Sequence, residues 1–228
     1  ICCFVYEPLV QGAGGMLMHK AEDLNELLRF CKSKNILLIQ DEIFVGFGRT
    51  GKLFAADHLS VTADVMCFSK GLTGGTMPLG VTTCTQVIYD AFYSNDKTKA
   101  LFHGHSFTAS PLACSAALAS MDLLLEDQTQ SNITRICHQH EVFAKKIKDH
   151  PKVAKVRQQG TIFAIEWKTN AHTSYFSEMR DVLYLFFLNK GILMRPLGNI
   201  IYLVPPYCIS EPDLNYIYDA ILEALVLI

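Results

Sequence analysis

Residues 36–51 of this 228-residue chain read ILLIQDEIFVGFGRTG. A short apolar run, Ile36 to Gln40, ends at the two carboxylates Asp41 and Glu42, and a glycine-rich stretch follows. A short, almost continuously apolar run is typical of a strand buried on both faces of a parallel sheet. Ligand-binding residues of open parallel sheets gather where the strands end. This stretch therefore predicts both the fold class and the place of a functional site.

Two further runs, Cys2–Tyr6 and Asp64–Phe68, have the same buried character. Between the first run and residues 36–40 lies a helical pattern that ends near Asn35, and its apolar face consists of Ala21, Leu24, Leu28 and Cys31. Strands that alternate with helices in this way build an α/β fold with a mostly parallel sheet covered on both faces. We therefore expect these three runs to pair in parallel.

Two later segments complete the first part of the chain. The connection Lys70–Pro78 is too short for a crossover helix, so the strand that follows, Leu79–Thr83, should run antiparallel to its neighbour. Ser110 followed by Pro111 marks a helix start, because serine favours the N-cap and proline the first helical position. Residues 112–125 are apolar nearly all round, which predicts a buried helix.

From about residue 127 the pattern changes to one of a small α+β domain. The expected elements are a long amphipathic helix that presents Ile133, Ile136, His140, Phe143 and Ile147 and stops at Pro151, an alternating strand Thr161–Trp167, a helix ended by Gly191, two short strands Ile192–Arg195 and Ile200–Val204, and a last helix from Ser210, with Asp213 completing a capping box. We therefore predict two domains, 1–126 and 127–228.

Composition excludes several classes of function. Lys plus Arg number 20 and Asp plus Glu 22, so the net charge is −2 and no basic block suits a nucleic-acid backbone. The longest apolar runs, such as Val182–Leu188, are too short to span a bilayer. Eight cysteines without a CxxC motif, mostly inside apolar runs, favour reduced core thiols in a cytoplasmic protein. The chain starts on Ile1 within a strand pattern, so we expect it to be the later part of something longer, with no targeting signal to judge.

An amine and a carboxylate fall at the ends of neighbouring predicted strands. Lys70 follows the strand Asp64–Phe68, and Asp41 follows the strand before it. A lone lysine there is usually a solvated surface residue, and a lone aspartate usually caps a helix or a loop. Gly71, Gly74 and Gly75, however, permit close approach of the backbone to a ligand. A lysine that bonds the cofactor and an aspartate that keeps a pyridine nitrogen protonated are what a pyridoxal phosphate site needs.

Four stretches in the same order and spacing resemble the class III pyridoxal-phosphate-dependent aminotransferases. They are Glu7–Gly15, Asp41–Gly51, Ser69–Gly75 and His103–Ala113. The resemblance covers essentially the whole chain and implies a fold-type I enzyme: the C-terminal part of a large, mostly parallel-sheet domain, followed by a small α+β C-terminal domain. It also implies a homodimer with a composite active site. The family's phosphate-binding Gly-Ser turn and ring-stacking aromatic residue belong to an N-terminal half that this chain does not include.

Finer features resemble one branch of that family. Residues 70–77 and 195–207 are similar to the branch that acts in biotin biosynthesis, with S-adenosylmethionine as amino donor and 8-amino-7-oxononanoate as acceptor. Ornithine and 4-aminobutyrate aminotransferases share the core motifs and stay an alternative. A second alternative, from another functional class, is a non-catalytic fragment that keeps the fold for dimerisation alone. An intact Lys70 and Asp41 favour the enzyme, because a scaffold does not need them.

The resemblance assigns four residues to pyridoxal phosphate. Lys70 is the Schiff-base lysine and proton shuttle, and Asp41 is the partner of the pyridine nitrogen. Ile43 packs against the ring, although an ordinary core isoleucine satisfies the sequence equally well. Ser106 supplies a hydroxyl to the phosphate bound by the other subunit, where the family often has threonine.

The resemblance assigns two residues to the substrate. Arg195 holds a substrate carboxylate, for which a guanidinium is the natural bidentate partner. Its alternative is an arginine in a surface ion pair. Tyr202 lines the substrate pocket, and its alternative is a strand tyrosine half-buried against the core. His103 and His105 near Asp96 lack a further ligand at zinc spacing, so we expect no metal site.

Overall fold

The computed structural model describes residues 1–169 and 178–227. Its chain divides into two compact units. Unit 1 comprises residues 1–9, 19–48 and 52–126, and unit 2 comprises residues 10–18, 49–51 and 127–228. Residues 10–18 and 49–51, which fall within the predicted first domain, thus belong to unit 2. The assignment of the units to a cofactor domain and a small domain stays a prediction.

The strands of the described residues are β1 (Cys3–Tyr6), β2 (Val10–Gln11), β3 (Leu17–Met18), β4 (Leu37–Asp41), β5 (Val65–Phe68), β6 (Val81–Cys84), β7 (Val153–Gln159), β8 (Ile162–Trp167) and β9 (Ile200–Leu203). The α-helices are α1 (Ala21–Ser33), α2 (Gln86–Phe92), α3 (Pro111–Leu125), α4 (Asp127–Ile147), α5 (Glu178–Asn189) and α6 (Glu211–Leu227). Short 3-10 turns occupy Ala55–His58, Lys70–Thr73 and Lys97–Lys99. In the described ranges no helix combines the length and the apolar character needed to cross a membrane.

Unit 1 is built on a four-stranded sheet of order β1-β4-β5-β6. The first three strands pair in parallel and β6 pairs with β5 antiparallel, so both predictions about strand direction are confirmed. Helix α1 buries Leu24, Leu28 and Cys31 in one cluster with Tyr6 and Leu38 of the sheet, whereas Ala21, also predicted for this face, is only half-buried. The 3.6-residue period of α1 therefore gives the face that covers this side of the sheet, as the sequence indicated.

Two expectations about burial in unit 1 are wrong. Helix α3 was predicted to be buried, but of its residues only Ala113 and Leu124 are buried, while Leu112 and Leu118 are 73% and 70% exposed. A helix that is apolar all round needs neighbours on every side, and within unit 1 α3 packs chiefly against the Lys70–Thr73 turn. The sheet is likewise not covered on both faces, because β6 is exposed along its whole length.

The cap of α3 and the cysteines also differ from expectation. Pro111 does occupy the first turn, but the Ser110 side chain makes no capping hydrogen bond. All eight cysteines are free thiols, yet Cys31 alone is fully buried, and Cys2, Cys84 and Cys208 are exposed. The expectation that most of the cysteines are core residues is therefore wrong for the described structure.

Unit 2 is built on the three-stranded antiparallel sheet β7-β8-β9. One face of this sheet carries Phe163, Ile165 and Ile201, which pack into a core with α4 and α6. The buried residues of α4 are Ile133, Ile136, His140, Phe143 and Ile147, the set that the sequence predicted. Helix α6 starts as expected, because the Ser210 Oγ accepts the Asp213 backbone N–H at 3.2 Å.

Three details of unit 2 were predicted incorrectly. Every residue of strand β8 except Glu166 is buried, so the strand does not alternate. On the face opposite the helical core, Gly15 of the β2–β3 hairpin lies against Ile200 of β9. Residues 192–195 form no strand; the chain there is joined to β9 only by a bridge between Leu197 and Ile200. Strand β7 was missed, since its polar residues obscure the two-residue period.

A glycine explains why residues 49–51 belong to unit 2. Gly160, in the tight turn between β7 and β8, has φ +59°. A Cβ at this position would lie 2.1 Å from the Thr50 carbonyl carbon and 2.3 Å from the Gly51 nitrogen. The Thr161 N–H also donates to the Arg49 carbonyl at 2.9 Å. The backbone at Gly160 therefore packs directly on that of residues 49–51, which no other residue type would allow.

A buried histidine fixes α4 to the rest of unit 2. His140 has Nε2 at 3.2 Å from the Thr161 carbonyl oxygen and Nδ1 at 2.7 Å from the Tyr218 hydroxyl. Because a carbonyl only accepts, Nε2 carries the hydrogen and Nδ1 accepts from Tyr218 in the neutral ring. The ring also stacks on Phe163 with centroids 5.1 Å apart. Burial lowers the pKa of His140 to about 4.

We expect unit 2 to lose stability as the pH falls from 6.5 to about 4, because the folded pKa of His140 lies below its ordinary value of 6.5. The stabilisation is complete above pH 6.5, and about 3 kcal/mol of it is lost across this window. Urea denaturation followed by the fluorescence of Trp167, the single tryptophan of the chain, measures it in unit 2.

Substitution His140→Gln should flatten this pH dependence, and His138→Gln, an exposed histidine on the same helix, should leave it unchanged. An equal acid sensitivity in both variants would contradict the assignment.

Candidate active site

The strand register brings Asp41 and Lys70 to one edge of the unit 1 sheet. Asp41 is the last residue of β4 and pairs with Cys67 of the parallel strand β5. Lys70 follows the end of β5 by two residues. Both side chains therefore start from the carboxyl ends of adjacent parallel strands, where ligands of open α/β sheets bind. This is the juxtaposition that the sequence predicted.

A local turn orients the Asp41 carboxylate. Its Oδ1 accepts the backbone N–H of Ile43 at 2.8 Å, which is the geometry of an Asx-turn. The other oxygen, Oδ2, has no hydrogen-bond partner within the described residues, although the side chain is half-buried. A held carboxylate with one oxygen available suits a ligand that presents an N–H donor.

The backbone at Lys70 is strained and held from two sides. Lys70 has φ +46°, in the left-handed region that non-glycine residues rarely adopt. Its carbonyl accepts the Gly75 N–H at 3.2 Å, and the Gly71 carbonyl accepts the Ser120 hydroxyl of α3 at 3.1 Å. A Cβ on Gly71 would lie 2.9 Å from the Phe47 Cβ, so position 71 of this turn has room only for glycine. Strain of this kind is typical of functional sites.

The Lys70 amine itself is exposed and nearly free of partners. No described residue forms a hydrogen bond or an ion pair with it, and the Phe44 ring forms a cation–π contact with it, with Nζ 5.4 Å from the centroid. Gly75 has φ +79°, and a Cβ added there would meet nothing within 4 Å, so open space adjoins the turn. The amine is thus accessible to a ligand at the strand ends.

A buried polar chain, which the sequence pattern did not predict, supports the Asp41 edge. The Tyr6 hydroxyl donates to Gln40 Oε1 at 2.8 Å, and Gln40 Nε2 donates to Glu42 Oε1 at 2.7 Å. Glu42 also accepts the N–H groups of Ala56 on Oε1, at 2.7 Å, and of Ala55 on Oε2, at 3.0 Å. The sequence does contain a signal for this chain, because Gln40 and Glu42 occur within or next to an apolar strand run and buried polar groups need hydrogen-bond partners.

This chain of hydrogen bonds closes the loop between β4 and the Ala55–His58 turn. Glu42 is fully buried, and its desolvation raises the pKa of the carboxyl, while the amides of Ala55 and Ala56 and the Gln40 side chain oppose that shift. The carboxylate therefore ties both ends of residues 43–54 to the sheet. Because Asp41 is its immediate neighbour, Glu42 holds the backbone from which Asp41 projects.

We expect Glu42→Gln to destabilise unit 1 by about 1–3 kcal/mol. Both carboxylate oxygens accept backbone N–H groups, and an amide nitrogen in place of one oxygen would leave a buried donor facing a donor. Urea denaturation of the wild type and the variant at neutral pH measures the loss. Glu26→Gln, an exposed residue of α1, is the matched control and should change the free energy of unfolding by no more than about 0.5 kcal/mol. Equal effects at the two positions would contradict the role of Glu42.

The other two predicted cofactor residues lie in unit 1 without the contacts that would assign them. Ile43 is half-buried and lies two residues after Asp41, so it is near the strand edge. Ser106 lies in the exposed segment 101–109, and the described residues give its hydroxyl no hydrogen-bond partner. Their roles stay predictions.

The two predicted substrate residues lie in unit 2, on opposite arms of a hairpin. The turn Gly198–Asn199 is closed by two hydrogen bonds between Leu197 and Ile200; Arg195 precedes this turn and Tyr202 follows it in β9. Arg195 is exposed, and within the described residues it forms neither a hydrogen bond nor an ion pair. The role of Arg195 therefore stays a prediction.

A cavity of about 480 Å³ adjoins this hairpin within unit 2. Tyr202 lines it together with Leu193, Met194, Val204, Pro206 and Tyr216. Tyr202 is half-buried, so it presents part of its ring to the cavity, and Arg195 is not among the lining residues. Across residues 1–169 and 178–227, no group of three or more His, Cys, Asp or Glu side chains is arranged to hold a metal ion.

Comparison with known proteins gives the family. The aminotransferase class III family matches residues 1–225. The chain belongs to the class III aminotransferases. A curated relative from Synechococcus elongatus, named adenosylmethionine-8-amino-7-oxononanoate aminotransferase, is 40% identical over 225 residues, covering 99% of this chain and 52% of the relative. The resemblance stated from the motifs is thereby confirmed at the level of the family.

Solved structures agree with the fold-type I architecture. The adenosylmethionine-8-amino-7-oxononanoate aminotransferase from Methanocaldococcus jannaschii superimposes with a TM-score of 0.91 at 34% identity, covering 98% of this chain and 53% of that one. The ornithine δ-aminotransferase of Plasmodium falciparum has a TM-score of 0.83 at 26% identity, covering 98% and 54%. This class III aminotransferase chain spans about half the length of the curated relatives it matches.

Proposed function

We propose that the protein containing this chain is a pyridoxal-phosphate-dependent aminotransferase, and that Lys70 and Asp41 carry its chemistry. The observation that carries the proposal is the placement of these two side chains at the carboxyl ends of β4 and β5, in a chain of the class III family. Pyridoxal-phosphate-dependent amino transfer requires two groups at this edge of the sheet: an accessible amine, and an oriented carboxylate with one free oxygen.

The residues present fit pyridoxal phosphate. Lys70 would be the point of covalent attachment, Asp41 Oδ2 would accept the pyridine N–H, Ile43 would pack against the ring, and Ser106 would donate to a phosphate held by a second copy of the chain. When bound, the protonated pyridine ring withdraws electrons from the carbon atom that bears the transferred amine.

Two of these side chains would act directly in the reaction. Asp41, as an anion beside the ring nitrogen, would keep that nitrogen protonated through a charge-assisted hydrogen bond. Lys70, once released, would take the proton from the carbon that bears the amino group and return it later in the transfer. The strained turn at Lys70 keeps the amine at the strand edge for both tasks.

Borohydride reduction tests the attachment point. After incubation with pyridoxal phosphate and reduction, we expect peptide mapping to find the pyridoxyl group on Lys70. Lys70→Ala should lose the label and the turnover, because no other described lysine follows β5 at the strand edge. Lys52→Ala, an exposed lysine that donates to the Asp57 carbonyl, is the control and should keep both. A label found on Lys52 in the wild type would refute the assignment.

We further propose that the amino acceptor is 8-amino-7-oxononanoate, converted to 7,8-diaminononanoate in biotin biosynthesis, with S-adenosylmethionine as donor. The eight curated relatives with this enzyme's name are 35–40% identical to the chain, whereas the ornithine aminotransferases compared are 26–27% identical. An acceptor of this kind carries its carboxylate at the end of an apolar chain and needs one cation to bind it. Arg195, exposed and unpaired among the described residues, meets that requirement.

Arg195→Ala should weaken use of the acceptor by about 2–4 kcal/mol, or roughly 30- to 1000-fold in kcat/KM, because the substrate carboxylate loses its charged partner. The effect should appear mainly as a raised KM for the acceptor, with a smaller change for the donor. Arg29→Ala, which removes an exposed arginine bonded to Ser60, is the matched control and should leave both KM values unchanged. Unaltered kinetics for both substrates in Arg195→Ala would overturn the role.

We also propose a homodimer in the cytoplasm. Support for the dimer comes from the exposed apolar side chains of unit 1, including Leu112, Leu118 and Phe107, and from Ser106, whose proposed phosphate contact requires a second copy. Eight free thiols suit a reducing compartment. Ornithine or 4-aminobutyrate as donor, and a non-catalytic fragment, are the alternatives that the labelling and kinetic tests distinguish.

A further inference from the structure

Within the described residues, the Lys70 amine makes a cation–π contact with Phe44 and no hydrogen bond or ion pair, and neither the motifs nor the family resemblance gave Phe44 a role. The Lys70 Nζ lies 5.4 Å from the centroid of the Phe44 ring, and Phe44 is half-buried. An ammonium group within about 6 Å of an aromatic face is attracted by the negative charge density of the ring. The contact is therefore attractive for the protonated amine and nearly neutral for the free amine.

The ring is held by the segment that orients Asp41. Phe44 directly follows Ile43, whose N–H donates to Asp41 Oδ1. Further along the same loop, Phe47 packs edge-to-face on Phe68 of β5, with centroids 6.1 Å apart. The loop is thus fixed to the sheet on both sides of Phe44. One short segment sets the position of both the carboxylate and the ring against the lysine.

The lysine side of the contact is equally constrained. The Lys70 backbone is held at φ +46°, and Gly71 packs against Phe47 so closely that a Cβ would lie 2.9 Å from the Phe47 Cβ. The side chain therefore leaves a fixed turn, and Phe44 limits where its amine can go. An ion pair with a carboxylate would attract the ammonium more strongly, but the described residues place no carboxylate on Lys70.

We propose that Phe44 is a positioning residue for Lys70: its ring holds the amine at the strand edge through a cation–π contact. The purpose of this contact rests on the function proposed above, in which Lys70 accepts a proton and gives it up again. A weak aromatic contact suits that task, because it attracts the ammonium group without the strong hydrogen bonds of a carboxylate and so leaves the amine able to move.

Competitive acetylation of the chain without cofactor tests the contact. Wild type, Phe44→Leu and Phe44→Tyr are labelled with isotope-coded acetic anhydride at about pH 8, and peptide mass spectrometry compares Lys70 with the exposed Lys97. Removing an interaction of about 0.5–1 kcal/mol should make Lys70 two- to fivefold more reactive in Phe44→Leu. Phe44→Tyr keeps the aromatic face and should stay close to wild type.

A matched control comes from α1, where Lys34 Nζ lies 5.7 Å from the Phe30 ring. Phe30→Leu should leave the reactivity of Lys70 unchanged. Repeating the labelling at about pH 11, where lysine amines are largely uncharged, should remove most of the difference between Phe44→Leu and wild type. An equal increase at both pH values would mean that leucine merely opens access to the amine, and would overturn the proposal.

Equal Lys70 reactivity in wild type and Phe44→Leu at about pH 8, or equal changes in the Leu and Tyr variants, would also overturn it. These outcomes are independent of cofactor binding. If borohydride labelling fails to place pyridoxal phosphate on Lys70, the proposed function fails while the acetylation result still reports on the Phe44 contact.

Discussion

The parallel register of β4 with β5 is the constraint on which the candidate site depends. Pairing of Asp41 with Cys67 sets where β4 ends relative to β5, and hence where Asp41 lies relative to Lys70. A slip of one residue would turn Asp41 to the opposite face of the sheet. The register is fixed because Leu38 is buried under α1, in the cluster that contains Tyr6 and Leu28. The hydrophobic core of unit 1 and the geometry of the site are therefore set by the same strands.

Polar groups and a tight turn then fix the loops that carry the site residues. The fully buried Glu42 accepts three hydrogen bonds and closes the loop that follows Asp41. The turn at Lys70 needs glycine at position 71, since the Phe47 side chain occupies the space of a Cβ. Such groups cost free energy when buried or strained, and full hydrogen bonding and close packing offset that cost. The loop that carries Phe44 is consequently anchored at both of its ends.

Unit 2 is stabilised by different interactions from those in unit 1. Its core joins the antiparallel sheet to α4 and α6, and the buried His140 bonds the helix to both Thr161 and Tyr218. Arg195, in contrast, projects from an exposed position beside a tight hairpin. A neutral buried imidazole stabilises the fold, whereas an exposed guanidinium without a partner among the described residues is available to bind a ligand.

The sequence alone determined the elements whose pattern is local. The apolar runs that became β1, β4 and β5, the amphipathic faces of α1 and α4, and the short connection that forces β6 antiparallel all follow from spacing and chain length. For the same reason the ends of adjacent strands placed Asp41 beside Lys70. The motifs at these ends also indicated the family.

Tertiary structure decided whatever depends on residues distant in the chain. Helix α3 reads as buried, yet its leucines are exposed, because burial depends on which neighbours surround an element and not on its own composition. Residues 192–195 have strand propensity but pair with no strand; the nearest pairing is the Leu197–Ile200 bridge that follows them. The contacts of Glu42 with Ala55 and Ala56, of Gly160 with residues 49–51, and of Phe44 with Lys70 likewise arise only when the chain folds. Local pattern fixes how a segment folds, and three-dimensional packing fixes what it touches.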